Sequence, residues 1–117
     1  MSKPAPNTER ALTDQIRDLA ATFHWRRYHT WLSKHSTAGF PDEVLVRGNR
    51  LIFAELKNPT AQPTTAQTGW LDDLANTGAE VCLWRPDMLP DIAVYLLDRH
   101  RPTTPPGAWT PDRKDTP

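Results

Sequence analysis

The residues best placed for chemistry are Glu55 and Lys57, in the run Ala54-Glu55-Leu56-Lys57. Side chains alternate along a strand, so Glu55 and Lys57 share one face, while Ile52, Ala54 and Leu56 turn to the other, toward a core. Asp42 stands thirteen residues before Glu55, in Gly39-Phe40-Pro41-Asp42. The apolar stretches Val44–Val46 and Leu51–Lys57 flank Gly48-Asn49, a turn signal that predicts a β-hairpin. An antiparallel register centred on that turn sets Asp42 opposite Glu55. Two carboxylates within reach of each other, with an ammonium beside them, make a site for a hard divalent cation. The plainer alternatives are a Pro-Asp turn residue at Asp42 and a cross-strand or surface ion pair at Glu55 and Lys57.

The elements that must hold these residues follow from periodicity and punctuation. Thr8 is an N-cap with Glu9 in the first turn, and Leu12, Ile16, Leu19 and Phe23 recur at helical spacing, predicting a helix over 9–23. Trp25–Thr30 suits a strand, and Ser33–Phe40 reads as a loop. After the hairpin, Asn58–Pro63 is a second loop. Thr64 then caps another helix, with Gln67 completing a capping box, Leu71 and Leu74 on its apolar face and Gly78 ending it. Val81–Trp84 is a short buried strand, broken by Arg85-Pro86. A last helix runs from about Met88 or Asp91 to Asp98, with Ile92, Tyr95 and Leu96 inward. The order is α-β-β-β-α-β-α, which predicts an α/β fold with a mixed central sheet flanked by helices. Residues 1–7 and the proline-rich tail 101–117, with five of the twelve prolines, are expected to be disordered, leaving an ordered domain over about 8–100.

Charge excludes some functions and redistributes others. Fourteen basic and fourteen acidic residues give a formal net charge of zero, so the chain has no overall basic coat for nucleic acid. The charges are nevertheless separated. Residues 1–57 carry nine basic and six acidic side chains, and residues 58–98 carry one and six. Between Leu19 and Pro41 there is no acid, while Arg26, Arg27, Lys34 and three histidines fall there among aromatic residues. Arg26, Arg27, Lys34 and His35 are therefore phosphate-contact candidates, with an ordinary solvated strand edge as the alternative. Trp25 and Trp31 read as core or dimer-face aromatics rather than stacking platforms, and Trp70 and Trp84 as core. No run approaches the ~20 apolar residues of a membrane helix. The lone cysteine, Cys82, excludes an intrachain disulfide, as expected of a cytoplasmic protein.

Taken in order, these residues resemble the PD-(D/E)XK nuclease superfamily and, within it, the VRR-NUC branch. The resemblance runs through Glu9 and Gln15, Gly39-Phe40-Pro41-Asp42, Phe53-Ala54-Glu55-Leu56-Lys57, Gln67, and Val81-Cys82-Leu83-Trp84-Arg85-Pro86. An acid-x-Lys by itself arises by chance about once per hundred residues, so the ordered set carries the resemblance.

The resemblance implies a restriction-endonuclease-like core and hydrolysis of DNA phosphodiesters with Mg²⁺ or Mn²⁺, leaving a 5′-phosphate. It implies Asp42 and Glu55 as metal ligands with the Leu56 carbonyl as a third, and Glu9 as a helical acid ligating directly or through water. Lys57 would orient the attacking water or neutralise developing charge, and Gln67 would hold the nucleophile or a phosphate oxygen, unless it serves only its capping box. Glu9 has its own plainer role, complementing the helix dipole. Gln15 and His29 are accessory candidates. Two positions depart from the family pattern. Ser33-Lys34-His35-Ser36 stands where the family often has an arginine after serine. Glu43 stands where the family usually has an apolar residue, either as an acid behind the site or as a strand start tilted to solvent. Small stand-alone members resemble phage proteins and Holliday-junction resolvases, which act as symmetric dimers. The expected partners are thus branched or duplex DNA and a second copy, in the host cytoplasm if the gene is a phage's. The competing reading is a catalytically inactive nucleic-acid-binding or assembly protein that keeps the nuclease fold. A third is a structural protein whose Glu55 and Lys57 merely pair.

Overall fold

The computed structural model describes residues 7–31 and 36–111. Helix α1 (Glu9–Thr22) starts where Thr8 accepts the Ala11 N–H on its hydroxyl, and it buries Leu12, Ile16 and Ala20. Three strands follow: β1 (Arg26–His29), β2 (Glu43–Arg47) and β3 (Arg50–Leu56). Helix α2 (Thr65–Asn76) opens on a complete capping box between Thr64 and Gln67. Strand β4 (Glu80–Trp84) leads through a 3₁₀ turn, Pro86–Met88, into α3 (Leu89–Leu97).

The four strands lie in the order β1-β2-β3-β4. The first two pairings are antiparallel and β3–β4 is parallel, so the sheet is mixed, with α2 as the crossover. This is an α/β fold with helices on both faces of a four-stranded mixed sheet. One face packs Leu45, Ile52, Ala54 and Leu56 against Leu12, Ile16 and Ala20 of α1 and Ile92 and Leu96 of α3. Each of these larger aliphatic side chains contributes roughly 1.5–3 kcal/mol by leaving water. On the other face, Phe40 packs edge-on against both Phe53 and Trp70, which seats α2. Tyr28, Val46 and Leu51 remain exposed on the uncovered part of β1–β3. Among the described residues, no helix is long and apolar enough to cross a membrane.

Gly39 fixes the approach to Asp42. Its φ is +93°, and a Cβ there would lie 2.5 Å from the Ala66 carbonyl carbon, so only glycine lets this loop close on the start of α2.

The expectation of a disordered tail from residue 101 is corrected over residues 105–109. The Leu83 N–H donates to the Gly107 carbonyl at 2.9 Å, and the Trp109 N–H to the Val81 carbonyl at 2.8 Å. Cys82 and Ala108 form an antiparallel bridge. Two indoles anchor the segment: Trp84 Nε1 donates to the Pro106 carbonyl at 3.1 Å, and Trp109 Nε1 to Asp72 Oδ1 at 2.7 Å. The outer edge of β4 would otherwise present unpaired backbone groups, and this short segment covers it. Proline content alone argued for disorder because the partner strand lies more than twenty residues away in sequence. Gly107 has φ +65° and sits against the Leu83 carbonyl and Met88, leaving no room for a Cβ. Gly107→Ala is expected to lower stability by about 1–3 kcal/mol, read as a reduced urea midpoint. An unchanged midpoint would rule out this seating of the segment on β4.

Candidate active site

The β2–β3 register pairs Glu43 with Ala54 and Val44 with Phe53. Extended by one residue, it sets Asp42 opposite Glu55. Asp42 is held at several points. The Leu56 N–H donates to Asp42 Oδ2 at 2.8 Å. The Thr30 N–H donates to the Asp42 carbonyl at 2.9 Å, and the Thr30 hydroxyl to the Pro41 carbonyl at 2.7 Å. A residue's N–H and C=O leave an extended strand on the same side, so the Leu56 carbonyl faces the Asp42 side as its N–H does.

Glu55 is only 2% exposed, although it faces away from the apolar core. Lys57 Nζ stands 3.8 Å from Glu55 Oε2. Glu55 Oε1 is buried with no hydrogen-bond partner. Burial, the Asp42 carboxylate, a hydrogen bond with Asp42 and the more distant Glu9 all push the Glu55 carboxyl up, to about 8, against the opposing pull of Lys57. Glu9 is also raised, first by burial, then by Asp42, with Lys57 lowering it. Its backbone N–H donates to Asn58 Oδ1 at 2.7 Å, tying the first turn of α1 to the end of β3. Glu9, Asp42, Glu55 and Lys57 therefore share one electrostatic environment.

Two further acids are buried, and both are fully engaged. Glu43 is 0% exposed. It takes Arg27 on both oxygens, at 2.6 and 2.9 Å, and His29 Nδ1 at 2.7 Å. Glu43 thus does not tilt the strand to solvent; it sits behind the site and fixes Arg27 and His29. At the opposite end of the sheet, Arg50 clasps Glu80 at 3.1 and 2.7 Å, and the Tyr95 hydroxyl donates to the same carboxylate. Sequence reasoning missed this cluster. Arg50 and Glu80 are thirty residues apart, and no local pattern links them.

A cleft of about 630 Å³ opens between α1 and β1, lined by Glu9, Arg10, Arg17, Arg27, His29 and Asp42 among others. Arg10 and Arg17 went unnoticed in the sequence, though they stand seven residues apart on one face of α1 and line the cleft with Glu9. The other candidates are distributed more widely. Arg26 is exposed on the opposite sheet face, because adjacent strand residues point opposite ways. Gln15 lies in a groove between α1 and α3, apart from the carboxylates. Gln67 spends its Oε1 on the Thr64 N–H at 2.8 Å, so only its amide NH₂ is left for a ligand. Lys34 and His35 lie outside the described residues. Trp25 is buried as expected, but Trp31 is 77% exposed and is not a core residue.

Among the described residues, no group of three or more His, Cys, Asp and Glu side chains gathers to hold an ion. Asp42 and Glu55 make a two-carboxylate site. That suits Mg²⁺, which usually takes one or two carboxylates and keeps several waters. The orphaned Glu55 oxygen beside a second acid is the donor set such an ion fits. Compared with models of known protein families and with curated proteins, the chain matches none.

Two outcomes follow from the buried acids. Without metal, Glu55 binds a proton more tightly folded than unfolded, so its contribution is complete below pH 4.5 and is lost as pH rises through about 8. In EDTA, Glu55→Gln should therefore become progressively more stable than the native chain between pH 5 and pH 9, as denaturant titrations at each pH would show. Glu43→Ala strands Arg27 and is expected to cost about 3–5 kcal/mol in the same measurement.

Proposed function

We propose that this chain is a metal-dependent DNA endonuclease of the VRR-NUC type, with a restriction-endonuclease-like core. The observation that carries the proposal is the unpaired, buried Glu55 Oε1 beside Asp42. The fold satisfies Glu43 and Glu80 with arginine, histidine and tyrosine, whereas one oxygen of this third acid has no hydrogen-bond partner. Buried polar atoms are rarely left unpaired without a functional reason.

Asp42 and Glu55, with the Leu56 carbonyl, would hold Mg²⁺ or Mn²⁺, and Glu9 would reach it directly or through water. Held there, a divalent cation would supply acidification of a bound water and offset charge on the scissile phosphate. Lys57 is held half-buried beside Glu55, and its ammonium donates to the attacking water or to a phosphate oxygen as negative charge builds. The Gln67 amide NH₂ is a further donor to a phosphate oxygen. Arg27 and His29, fixed by Glu43, line the substrate's approach from the β1 side.

The proposed partners are branched or duplex DNA and a second copy of the chain. A junction cut on two strands calls for two sites related by a two-fold axis. The exposed apolar face of Tyr28, Val46 and Leu51 supports self-association.

Asp42→Ala and Glu55→Ala are each expected to abolish cleavage, and Lys57→Ala to reduce it about a hundred-fold or more, with native circular dichroism. EDTA should stop the reaction, and calorimetry should show divalent binding lost in Asp42→Ala. Near-full activity in Lys57→Ala would remove Lys57 from the mechanism. DNA binding without metal binding or cleavage would instead select the inactive nucleic-acid-binding protein. Four-way junctions assayed beside linear duplex and flap DNA test the branched substrate, and equal cutting of all three would exclude junction specificity.

A further inference from the structure

Trp31 follows β1 and stands at the mouth of the cleft between α1 and β1. Its ring is 77% exposed, the largest exposed fraction among the big apolar side chains described. The ring is not loosely placed, because His29 meets it edge-on, with centroids 6.0 Å apart and planes at 81°. His29 is itself held by the buried Glu43 at 2.7 Å. A chain of fixed contacts thus runs from the sheet interior to an aromatic face left open to solvent. Across the cleft, α1 presents Arg10 and Arg17 with Asp14 between them, and Glu9 and Asp42 lie in the same lining.

We infer that this cleft takes a single unpaired nucleic-acid strand, with one base stacked on Trp31 and the neighbouring phosphate between Arg10 and Arg17. The inference rests on the nuclease reading of the Asp42–Glu55 site and names the form of substrate that reaches it. Three observations lead there. The cleft volume of about 630 Å³ is that of a small-ligand site, enough for one or two nucleotides and too small to enclose a duplex. Every base has a π face, so an exposed, positioned indole binds unpaired bases regardless of sequence, whereas bases inside a duplex keep theirs covered. Phosphate neutralisation is limited. Arg27 is engaged by Glu43, and Arg17 forms only long, exposed ion pairs with Asp14 and Asp18. With two arginines available and no overall basic charge, stacking must supply much of the grip.

The test is binding in EDTA, where cleavage cannot intervene. A dye-labelled twelve-nucleotide DNA, single-stranded or annealed to its complement, is titrated with the native chain, Trp31→Ala and Trp31→Phe, and anisotropy is read. The single strand should bind more tightly than the duplex. Trp31→Ala should weaken single-strand binding by about ten-fold, and Trp31→Phe should keep most of it. The salt dependence should be shallow, with a log–log slope of about −1 to −2, as expected for two phosphate contacts on a single strand. Equal binding of strand and duplex, or undiminished binding by a natively folded Trp31→Ala, would overturn the inference. So would a Trp31→Ala variant that loses only self-association by light scattering, since that would make Trp31 a dimer contact. The two readings fail separately. Metal-dependent cleavage unaffected by Trp31→Ala would leave the nuclease standing and remove the stacking site. Trp31-dependent strand binding without any metal binding would do the reverse.

Discussion

The pairing of β2 with β3 is the constraint from which the site follows. Strand side chains alternate with a period of two, so a slip of one residue would turn Glu55 and Lys57 into the apolar core and Ala54 and Leu56 out of it. Placing two charged groups against Leu12 and Ile16 would be costly enough to exclude that alternative. The Gly48-Asn49 turn and the apolar set Leu45, Ile52, Ala54 and Leu56 therefore select one register. In that register Asp42 meets the Leu56 N–H, and its carboxylate has nowhere to go but beside Glu55.

The way the fold treats its buried acids gives that site its meaning. Glu43 and Glu80 are each surrounded by donors, and each pins elements together: Glu43 joins β1 to β2, and Glu80 joins β3, β4 and α3. Glu55 has one distant ammonium, an adjacent carboxylate and an oxygen without a partner. A fold that can supply partners to two buried acids and leaves a third open is carrying an electrostatic cost at that place. Without metal a proton on Glu55 relieves it, and in the proposed nuclease a divalent cation held with Asp42 would do so instead.

Zero net charge looks at first like an argument against any nucleic-acid enzyme. The structure shows why the total is a poor guide. Many of the charges are internal: Arg27 with Glu43, and Arg50 with Glu80, cancel within the protein and present little field outside. Other acids fall on the later helices, away from the cleft between α1 and β1. What faces the cleft is a local mixture of the carboxylates of Glu9, Asp14 and Asp42, the α1 arginines Arg10 and Arg17, and the exposed indole of Trp31.

Much of this was legible in the chain itself. The element order, the caps at Thr8 and Thr64, the hairpin register and the grouping of Asp42 with Glu55 and Lys57 all rest on interactions between residues close in sequence or joined by one tight turn. Local spacing and turn chemistry encode those directly. Alternation even implies that Arg26 and Arg27 diverge to opposite faces, though their shared basic character suggested a common role. The tertiary structure alone decided the rest: the closure of Glu43 over Arg27 and His29, the Arg50–Glu80–Tyr95 clasp, the seating of residues 105–109 on β4, and the exposure of Trp31 at a cleft walled by α1. These depend on which surfaces meet across long stretches of chain, and a one-dimensional pattern of polar and apolar residues does not specify which distant polar group will find which partner once water is excluded.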